Sequence, residues 1–355
     1  MRIAIVHDSF TQMGGAERVV DHLHELFPNA PVYTLVFDPK YKVKYLNWEI
    51  RTSPLQTLYL ALGKLQYLLP FIPWAVNNFD FSGFDLVISS SSGFVKNIRV
   101  PKNTRHICYC HTPPRFLWID KNYVKQEVPF ILRPIVHYLL SKMRKWDLLG
   151  SKRVTQFIAN SQEVQKRIES VYQRNCTVVY PGVDVGFWQP TISKKDYFLI
   201  AGRLQPHKNN EIIIQVFNEL GKPLHVVGAG RQLEYLKSIS RPNITFLGAV
   251  DDNTLRDEYS GALGYIYPQM EDFGLMPLEA AACGTATIAL AKGGALETVL
   301  PGVTGELFES ANKKQIKQII LNWKPEQYTQ ENLRVQAEKF SKKKFIESIS
   351  RFCKL

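Results

Sequence analysis

The stretch ALGYIYPQMEDFGLMPLEAAACGTATIA, residues 262–289, combines two apolar runs with a short segment between them that ends the first run and begins a helix. The runs 262–267 and 286–289 are typical of parallel strands, which are buried on both faces. Pro277 suits the start of a helix, and Gly284 suits its end. We therefore predict a strand–helix–strand unit, with the helix over residues 277–283.

Similar apolar runs recur along the whole chain, separated by helical stretches. They lie at residues 3–7, 32–35, 86–89, 106–110, 156–159, 177–179, 197–201, 224–227, 244–247, 262–267 and 286–289. Eleven strands are too many for one doubly wound sheet, so we predict an α/β protein with two Rossmann-like domains. Pro and Gly residues at 180–184 mark the seam, giving domains at 1–185 and 186–331. Parallel sheets carry ligand crevices at their carboxyl ends, and we expect the two crevices to face an interdomain cleft.

Composition excludes several classes of protein. The 355 residues have an ordinary share of apolar side chains, and no run is apolar for the roughly 18 residues that a membrane span needs. The five cysteines are scattered and odd in number, which argues against a disulfide framework or a zinc site and favours a reducing, cytoplasmic compartment. The net charge of +12 suits phosphate-bearing ligands or anionic lipid, and since no nucleic-acid motif accompanies it we expect no nucleic-acid partner.

The loop and helix start at residues 271–279 are the strongest candidate site. Backbone N–H groups of Phe273 to Met276, including those of Gly274 and Leu275, would be unpaired at the helix start and suit an anion such as phosphate. Glu271 would lie in the loop and Glu279 in the first helical turn. A carboxylate accepts two hydrogen bonds and so suits a ribose diol, although Glu279 could equally just complement the helix dipole.

A second candidate site follows the strand at residues 197–201, where the sequence reads GRLQPHKN from Gly202 to Asn209. Arg203 and Lys208 place positive charge beside a strand end, where it could stabilise a departing diphosphate without a metal. The alternative is a pair of solvated surface cations. No Asp-x-Asp motif occurs, so no cofactor and no metal are expected.

Two further candidates lie in the first half of the chain. Gly14 and Gly15 open the first helix and would allow a tight turn against a ligand, but they do not form a dinucleotide motif. His111 begins the sequence HTPPRFLW just past the strand at 106–110, and a histidine at a strand end could contact substrate. A lone histidine is also often structural.

These motifs together resemble the GT-B retaining glycosyltransferases of family 4. The Glu-x7-Glu motif is intact from Glu271 to Glu279, and GRLxxxKN is intact from Gly202 to Asn209. The later pattern appears as Gly293-Gly294, Glu297 and Gly302-Val303-Thr304-Gly305. Where the family usually has an acidic residue between two glycines, this chain has Gly228-Ala229-Gly230, so no acid is assigned there.

The resemblance implies a nucleotide-sugar donor as substrate and a metal-independent transfer with retention of anomeric configuration. It implies that Arg203 and Lys208 hold the diphosphate and that Glu279 holds the ribose. Glu271 would touch the donor sugar together with amides near Gly274.

The resemblance also implies roles outside the second domain. His111 would contact the sugar from the first domain, and the Gly14-Gly15 loop would face the diphosphate and the acceptor. A helix over residues 332–355 would cross back to the first domain.

The sequence HTPPRFLW is similar to mannosyltransferases of bacterial O-antigen and exopolysaccharide assembly. This narrower likeness favours GDP-mannose as the donor and a saccharide as the acceptor, in the synthesis of bacterial surface polysaccharide. The alternatives are a UDP-sugar donor, a nucleotide-sugar epimerase of the same fold, and a non-catalytic nucleotide-sugar binding protein. The last would show binding without turnover.

Two apolar segments, residues 55–73 and 128–149, have two interpretations. They could be buried helices, or they could dock the first domain on the cytoplasmic face of a membrane, because nearby Lys and Arg residues suit anionic headgroups. Lys64 is the only charged residue of the first segment. With docking, the acceptor would be lipid-linked, as a polyprenyl diphosphate saccharide.

Overall fold

The computed structural model describes residues 1–120, 124 and 128–354. They form two compact units. The first contains Met1–Tyr180 together with the chain end from Phe352, and the second contains Pro181–Arg351. Each unit is built on one parallel sheet, so the predicted α/β class with two parallel-sheet domains is confirmed.

The sheet of the first unit has the strand order β3-β2-β1-β4-β5-β6-β7. Its strands are β1 (Ile3–His7), β2 (Val32–Thr34), β3 (Ile50–Thr52), β4 (Leu86–Ser91), β5 (Arg105–Cys110), β6 (Gln156–Ala159) and β7 (Cys176–Val178). In the middle of the sheet, Ile5 of β1 pairs with Val32 on one side and Ile88 on the other. Because all strands are parallel, the residues that follow β1, β4 and β5 meet at one edge of the sheet.

The helices of the first unit connect these strands. They are α1 (Gly15–Leu26), α2 (Gln56–Leu62), α3 (Ile72–Asn77), α4 (Arg115–Trp118), α5 (Arg133–Ser151) and α6 (Gln162–Tyr172). The 3-10 turn Val95–Asn97 follows β4 and packs against both α3 and α5.

The sheet of the second unit has the order β10-β9-β8-β11-β12-β13. Its strands are β8 (Phe198–Ala201), β9 (Leu224–Val227), β10 (Ile244–Gly248), β11 (Gly264–Tyr267), β12 (Thr287–Leu290) and β13 (Gly305–Phe308). The helices are α7 (Asn210–Leu220), α8 (Leu233–Ser238), α9 (Asp252–Gly261), α10 (Leu275–Ala282), α11 (Ala295–Thr298), α12 (Lys313–Leu321), α13 (Gln330–Lys339) and α14 (Lys342–Cys353).

All eleven predicted strands are present, with ends that differ by at most two residues, and two strands were missed. The missed strands, β3 and β13, lie at an edge of each sheet. Their sequences are IRT and GELF, and half-exposed or exposed residues interrupt both. An edge strand is covered on one side only and therefore need not form a continuous apolar run.

Neither of the two apolar segments is fully buried. Residues 55–73 form α2, the 3-10 helix Leu65–Phe71 and the start of α3, whereas residues 128–149 form the turn Phe130–Leu132 and most of α5. Part of each segment enters the core, as Leu68 and Leu140 do. Within the described part of the chain, no helix has the length and apolar content that crossing a membrane requires.

Candidate active site

The loop after β11 is shaped by Gly274, which has a φ of +91°. Only glycine adopts this conformation without strain, and a Cβ there would lie 3.0 Å from the Tyr267 hydroxyl. Helix α10 begins directly after it, at Leu275. The prediction that the helix starts at Pro277 is therefore wrong by two residues, because the left-handed glycine turns the chain into the helix earlier. The predicted anion-binding amides of Leu275 and Met276 do lie at the helix start.

The earlier helix start also changes the position of Glu279. Glu279 is the fifth residue of α10 and so belongs to the second turn, not the first as predicted. The residue is 2% exposed. A carboxylate removed from water at this depth does more than complement a helix dipole at the surface, because burying a charge is costly unless it has polar partners.

Gly293 and Gly294 hold the Glu271 loop from the other side. The Gly294 N–H donates to the carbonyl of Glu271 at 3.0 Å. A Cβ on Gly294 would lie 1.8 Å from the carbonyl oxygen of Phe273, and one on Gly293 would lie 2.2 Å from that of Glu271. Glycine is therefore required at both positions, because two backbone segments are in contact there. The loop that carries Glu271 packs against these glycines.

Lys208 and Glu271, which are 63 positions apart, form an ion pair. Lys208 ends the 3-10 turn Pro206–Lys208 after β8, and Glu271 follows β11, the neighbouring strand. The Lys208 side chain is 5% exposed and that of Glu271 is 28% exposed. Asn209 also donates from Nδ2 to the carbonyl of Pro268 at 3.0 Å. The structure thus brings together two of the residues predicted to act in catalysis.

The GRL stretch before Lys208 is packed against two other loops. A Cβ on Gly202 would lie 3.6 Å from the Met276 sulfur, so this loop adjoins the start of α10. Gly228 and Gly230 allow the loop after β9 to touch it, since a Cβ at either position would lie about 2 Å from a carbonyl of Gly202 or Leu204. Close packing therefore explains the glycines of Gly228-Ala229-Gly230.

Arg203 is exposed, whereas its partner in the prediction, Lys208, is buried. The two cations therefore differ in environment. A buried ammonium interacts strongly with a nearby anion because the surroundings screen it little, and an exposed guanidinium is screened by water.

In the first unit, His111 directly follows β5 and is 8% exposed. Its Nε2 lies 2.8 Å from the hydroxyl of Ser90, and its backbone N–H donates to the carbonyl of Ser91 at 2.8 Å. Both serines end β4, the strand beside β5. The side chain is thus held in one orientation at the carboxyl edge of the sheet.

Gly14 and Gly15, which the sequence suggested could allow a tight turn against a ligand, lie at the start of α1. Gly14 has a φ of −161°, which is extended backbone open to any residue, and Gly15 is the first residue of α1. A Cβ on Gly14 would instead lie 3.2 Å from Oε2 of Glu17. Glycine therefore suits this position, because a larger residue would crowd the Glu17 carboxylate.

Sequence reasoning missed Asp8, which follows β1 and organises the neighbouring loop. Its carboxylate accepts backbone N–H groups at 2.6–2.9 Å from four successive residues, Ser92, Gly93, Phe94 and Val95. An acidic residue directly after a buried strand was the available signal, but the partners lie more than 80 positions away.

Two family models match the chain and together extend over residues 13–343. The model described as Glycosyltransferase Family 4 matches residues 13–187, and the one described as Glycosyl transferases group 1 matches residues 186–343. The chain belongs to the family 4 glycosyltransferases.

Solved structures show the same fold for this glycosyltransferase. HepE from Anabaena, in a crystal structure with UDP, is 16% identical and has a TM-score of 0.75, with each chain covered over its full length. At this identity the likeness shows the fold alone, and the predicted GT-B class is confirmed.

Curated relatives match this glycosyltransferase over part of their length. The D-inositol 3-phosphate glycosyltransferase of Geodermatophilus obscurus is 30% identical over 200 residues, which are 46% of this chain and 44% of the relative. The O-antigen chain mannosyltransferase RfbU of Salmonella typhimurium is 27% identical over 152 residues, 39% of this chain and 43% of RfbU. The matches thus span less than half the length of these relatives.

Proposed function

We propose that this protein transfers mannose from GDP-mannose, with retention of configuration, to a lipid-linked saccharide. The observation that carries the transferase activity is the pairing of buried Lys208 with the half-exposed Glu271, beside a glycine-supported helix start. The likeness to RfbU and the HTPPRFLW sequence support mannose. The alternative donor is a UDP-sugar, which is favoured by the HepE structure with UDP-glucose.

The reaction needs charge stabilisation on the leaving diphosphate. An ammonium carries three hydrogens, so Lys208 can keep Glu271 and also donate to a phosphate oxygen. Arg203 and the amides of Leu275 and Met276 would add donors, so that the transfer proceeds without a metal. Glu279 would hold the ribose, and Glu271 and His111 would hold the sugar. Retention would follow from attack on the same face that the diphosphate leaves.

Donor choice can be tested by thermal unfolding with GDP-mannose, UDP-glucose and ADP-glucose. A donor at one hundred times its dissociation constant stabilises the native state by about 2.7 kcal/mol, which raises the unfolding temperature measurably. We expect the largest rise with GDP-mannose. A rise with UDP-glucose alone would assign a UDP-sugar as the donor instead, and the enzyme class would stay the same.

Transfer itself is tested with a polyprenyl diphosphate oligosaccharide as acceptor. We expect release of GDP, and an α-linked mannoside by its one-bond proton–carbon coupling. A β-linked product would refute retention. Turnover of the donor to an epimer without acceptor, or binding without any turnover, would support one of the competing functions.

We further propose that the first unit docks on the cytoplasmic face of a membrane that holds this acceptor. Its two apolar segments expose many large apolar side chains, by 46–84% of their surface. They are Leu58, Leu60, Leu62, Tyr67 and Phe71 in the first segment, Trp74 directly after it, and Phe130, Ile131, Leu132, Ile135, Tyr138 and Leu149 in the second. An exposed apolar patch of this extent is typical of an interaction site.

The charges around the second segment select an anionic lipid surface as the partner. Residues 128–149 contain four basic residues, Arg133, Lys142, Arg144 and Lys145, and one acidic residue, Asp147, which is fully buried. Each basic residue near an anionic membrane contributes about 1 kcal/mol. The helices α3 and α5 pack against the same turn, Val95–Asn97, so both segments belong to one region of the unit.

Flotation with vesicles of mixed anionic and zwitterionic lipid tests this docking. We expect the wild type to float with the vesicles at low salt, and the variant Phe130→Ser/Ile131→Ser/Ile135→Ser to remain at the bottom. Leu321→Ser, which changes an exposed apolar residue of the second unit, is the control and should float. Equal recovery of the wild type with and without vesicles would refute docking.

A further inference from the structure

A buried chain of polar groups connects His111 to the first helix. Its members are Glu17 on α1, His7 at the end of β1, Ser90 near the end of β4, and His111 after β5, and none is more than 8% exposed. The Glu17 carboxylate lies 3.6 Å from His7 Nε2. His7 Nδ1 lies 3.2 Å from both the carbonyl and the hydroxyl of Ser90. The Ser90 hydroxyl lies 2.8 Å from His111 Nε2.

The Ser90 carbonyl, 3.2 Å from His7 Nδ1, can only accept, so Nδ1 carries a hydrogen and donation along this chain runs from His7 toward Ser90. Burial lowers the pKa of His7, but the nearby Glu17 carboxylate, the charge of Asp8 and the Ser90 carbonyl together raise that pKa above its ordinary value. A protonated His7 is a donor at both ring nitrogens. Nε2 then faces the Glu17 carboxylate, and Nδ1 donates toward Ser90.

The Ser90 hydroxyl continues the chain of hydrogen bonds, because it can accept from His7 and donate to His111. A hydroxyl has one hydrogen, and when it accepts from His7 it has that hydrogen left to donate. His111 Nε2 lies 2.8 Å away and can accept that hydrogen. An imidazole whose Nε2 accepts carries its proton on Nδ1, since the partner of one ring nitrogen decides the protonation of the other.

We propose that Glu17, His7 and Ser90 are positioning residues that hold His111 as the neutral tautomer with its proton on Nδ1. Their role in sugar transfer rests on the proposed function, in which His111 contacts the donor sugar. There the tautomer makes His111 a hydrogen-bond donor of fixed orientation to a sugar oxygen. The Gly14-Gly15 loop takes part because Gly14 leaves room for the Glu17 carboxylate.

Nitrogen-15 NMR of ring-labelled histidines in the whole protein tests the tautomer directly. The His111 signals are assigned as those that disappear in His111→Gln. In the wild type at pH 7 we expect a protonated Nδ1 and an unprotonated Nε2. A wild-type His111 with its proton on Nε2, or with two protons, would overturn the proposal.

Variants of the chain separate this role from a merely structural one. Ser90→Ala should shift His111 toward a mixture of tautomers, and Glu17→Gln should lower the pH at which His7 titrates. Glu25→Gln removes an exposed carboxylate from the same helix and should change neither signal. An unchanged His111 tautomer in a folded Ser90→Ala protein would also overturn the proposal. If Ser90→Ala fails to fold, the Glu17→Gln spectra decide it, since an unchanged His7 titration there would refute the chain.

The kinetic prediction is separate from the spectroscopic one. Ser90→Ala should lower kcat about tenfold or more while the affinity for GDP stays within twofold, because GDP lacks the sugar. If no donor is turned over by the wild type, the proposed function fails while the NMR result still stands. If transfer occurs and Ser90→Ala keeps the wild-type kcat, the positioning role is refuted.

Discussion

Each unit of the molecule contains a lysine paired with a carboxylate, and the two pairs differ in how far water reaches them. In the first unit, the side chains of Lys96 and Asp147 are 1% and 0% exposed. In the second unit, the Lys208 side chain is also buried, at 5% exposed, but the Glu271 side chain is 28% exposed.

The Lys96–Asp147 pair is closed to water, and its hydrogen-bond partners explain its role. The Asp147 carboxylate accepts from Lys96 and from Asn97, Trp118 and Tyr172, which belong to different elements of the first unit. A carboxylate with this many hydrogen bonds holds α5 against the elements that carry its partners. The Glu271 carboxylate reaches solvent and is carried by a loop that rests on glycines, so it can accept from a ligand. The comparison teaches that burial of the lysine does not distinguish the two pairs, whereas the exposure of the carboxylate does.

The largest expected effect comes from breaking the closed pair. Asp147→Ala leaves the Lys96 charge buried without its carboxylate, which should lower the free energy of unfolding of the first unit by about 3–5 kcal/mol. Urea denaturation followed by circular dichroism measures the loss. The double variant Lys96→Met/Asp147→Leu should recover much of it, and equal instability of the single and double variants would contradict the role of the charge.

The Lys208–Glu271 pair is open to water, and breaking it should affect catalysis more than stability. Lys208→Ala and Arg203→Ala should each lower kcat/KM about a hundredfold, because losing one donor to a transition-state anion costs on the order of 3 kcal/mol. Initial rates of GDP release measure it. Lys237→Ala, which removes an exposed lysine of the same unit, is the control and should keep the wild-type rate. Near-normal turnover of both variants, or loss of wild-type activity in EDTA, would refute the assignment.

The support beneath Glu271 can be tested without touching its charge. A methyl group on Gly294 would lie 1.8 Å from the Phe273 carbonyl, so Gly294→Ala must displace the loop. We expect a loss of about 2 kcal/mol in stability, and a fall in kcat/KM, since overpacking costs roughly 1–3 kcal/mol. Gly302→Ala is the comparison, because a Cβ there meets nothing within 4 Å and only its φ of +72° is unfavourable. An active, fully stable Gly294→Ala protein would show that the loop position does not matter.

The smallest effect concerns His106, a buried histidine of the first unit. Burial lowers the pKa of His106 to about 3, with the charge of Arg153 as a further cause. The unfolded chain therefore binds a proton that the folded one does not between pH 6.5 and 3, so stability falls as the pH falls through this window. Between pH 7.5 and 5.5 the loss from this residue should be about 1 kcal/mol. In urea denaturation, His106→Gln should lose less stability on acidification than the wild type does. His137→Gln, which changes an exposed histidine, should lose as much stability as the wild type.

Much of the fold was predictable because buried parallel strands are apolar on both faces. The strands β1 and β11 could be identified from their own residues, without reference to a partner. The strands β3 and β13 could not, since their sequences IRT and GELF contain no continuous run of apolar residues. The start of α10 was misplaced because nothing local reveals that Gly274 adopts a positive φ, whereas Pro277 is visible in the sequence.

The candidate site divides in the same way. The sequence by itself determined the residue types, namely two glutamates eight positions apart and two cations after a strand, because such chemistry is carried by local motifs. Only the tertiary structure decided that Lys208 pairs with Glu271 and that Asp147 saturates Lys96. It also decided that His7, Glu17, Ser90 and His111 form one chain, since these residues are drawn from separate elements. A hydrogen bond depends on distances of about 3 Å between atoms, and the register of neighbouring strands sets those distances, not the spacing of residues along the chain.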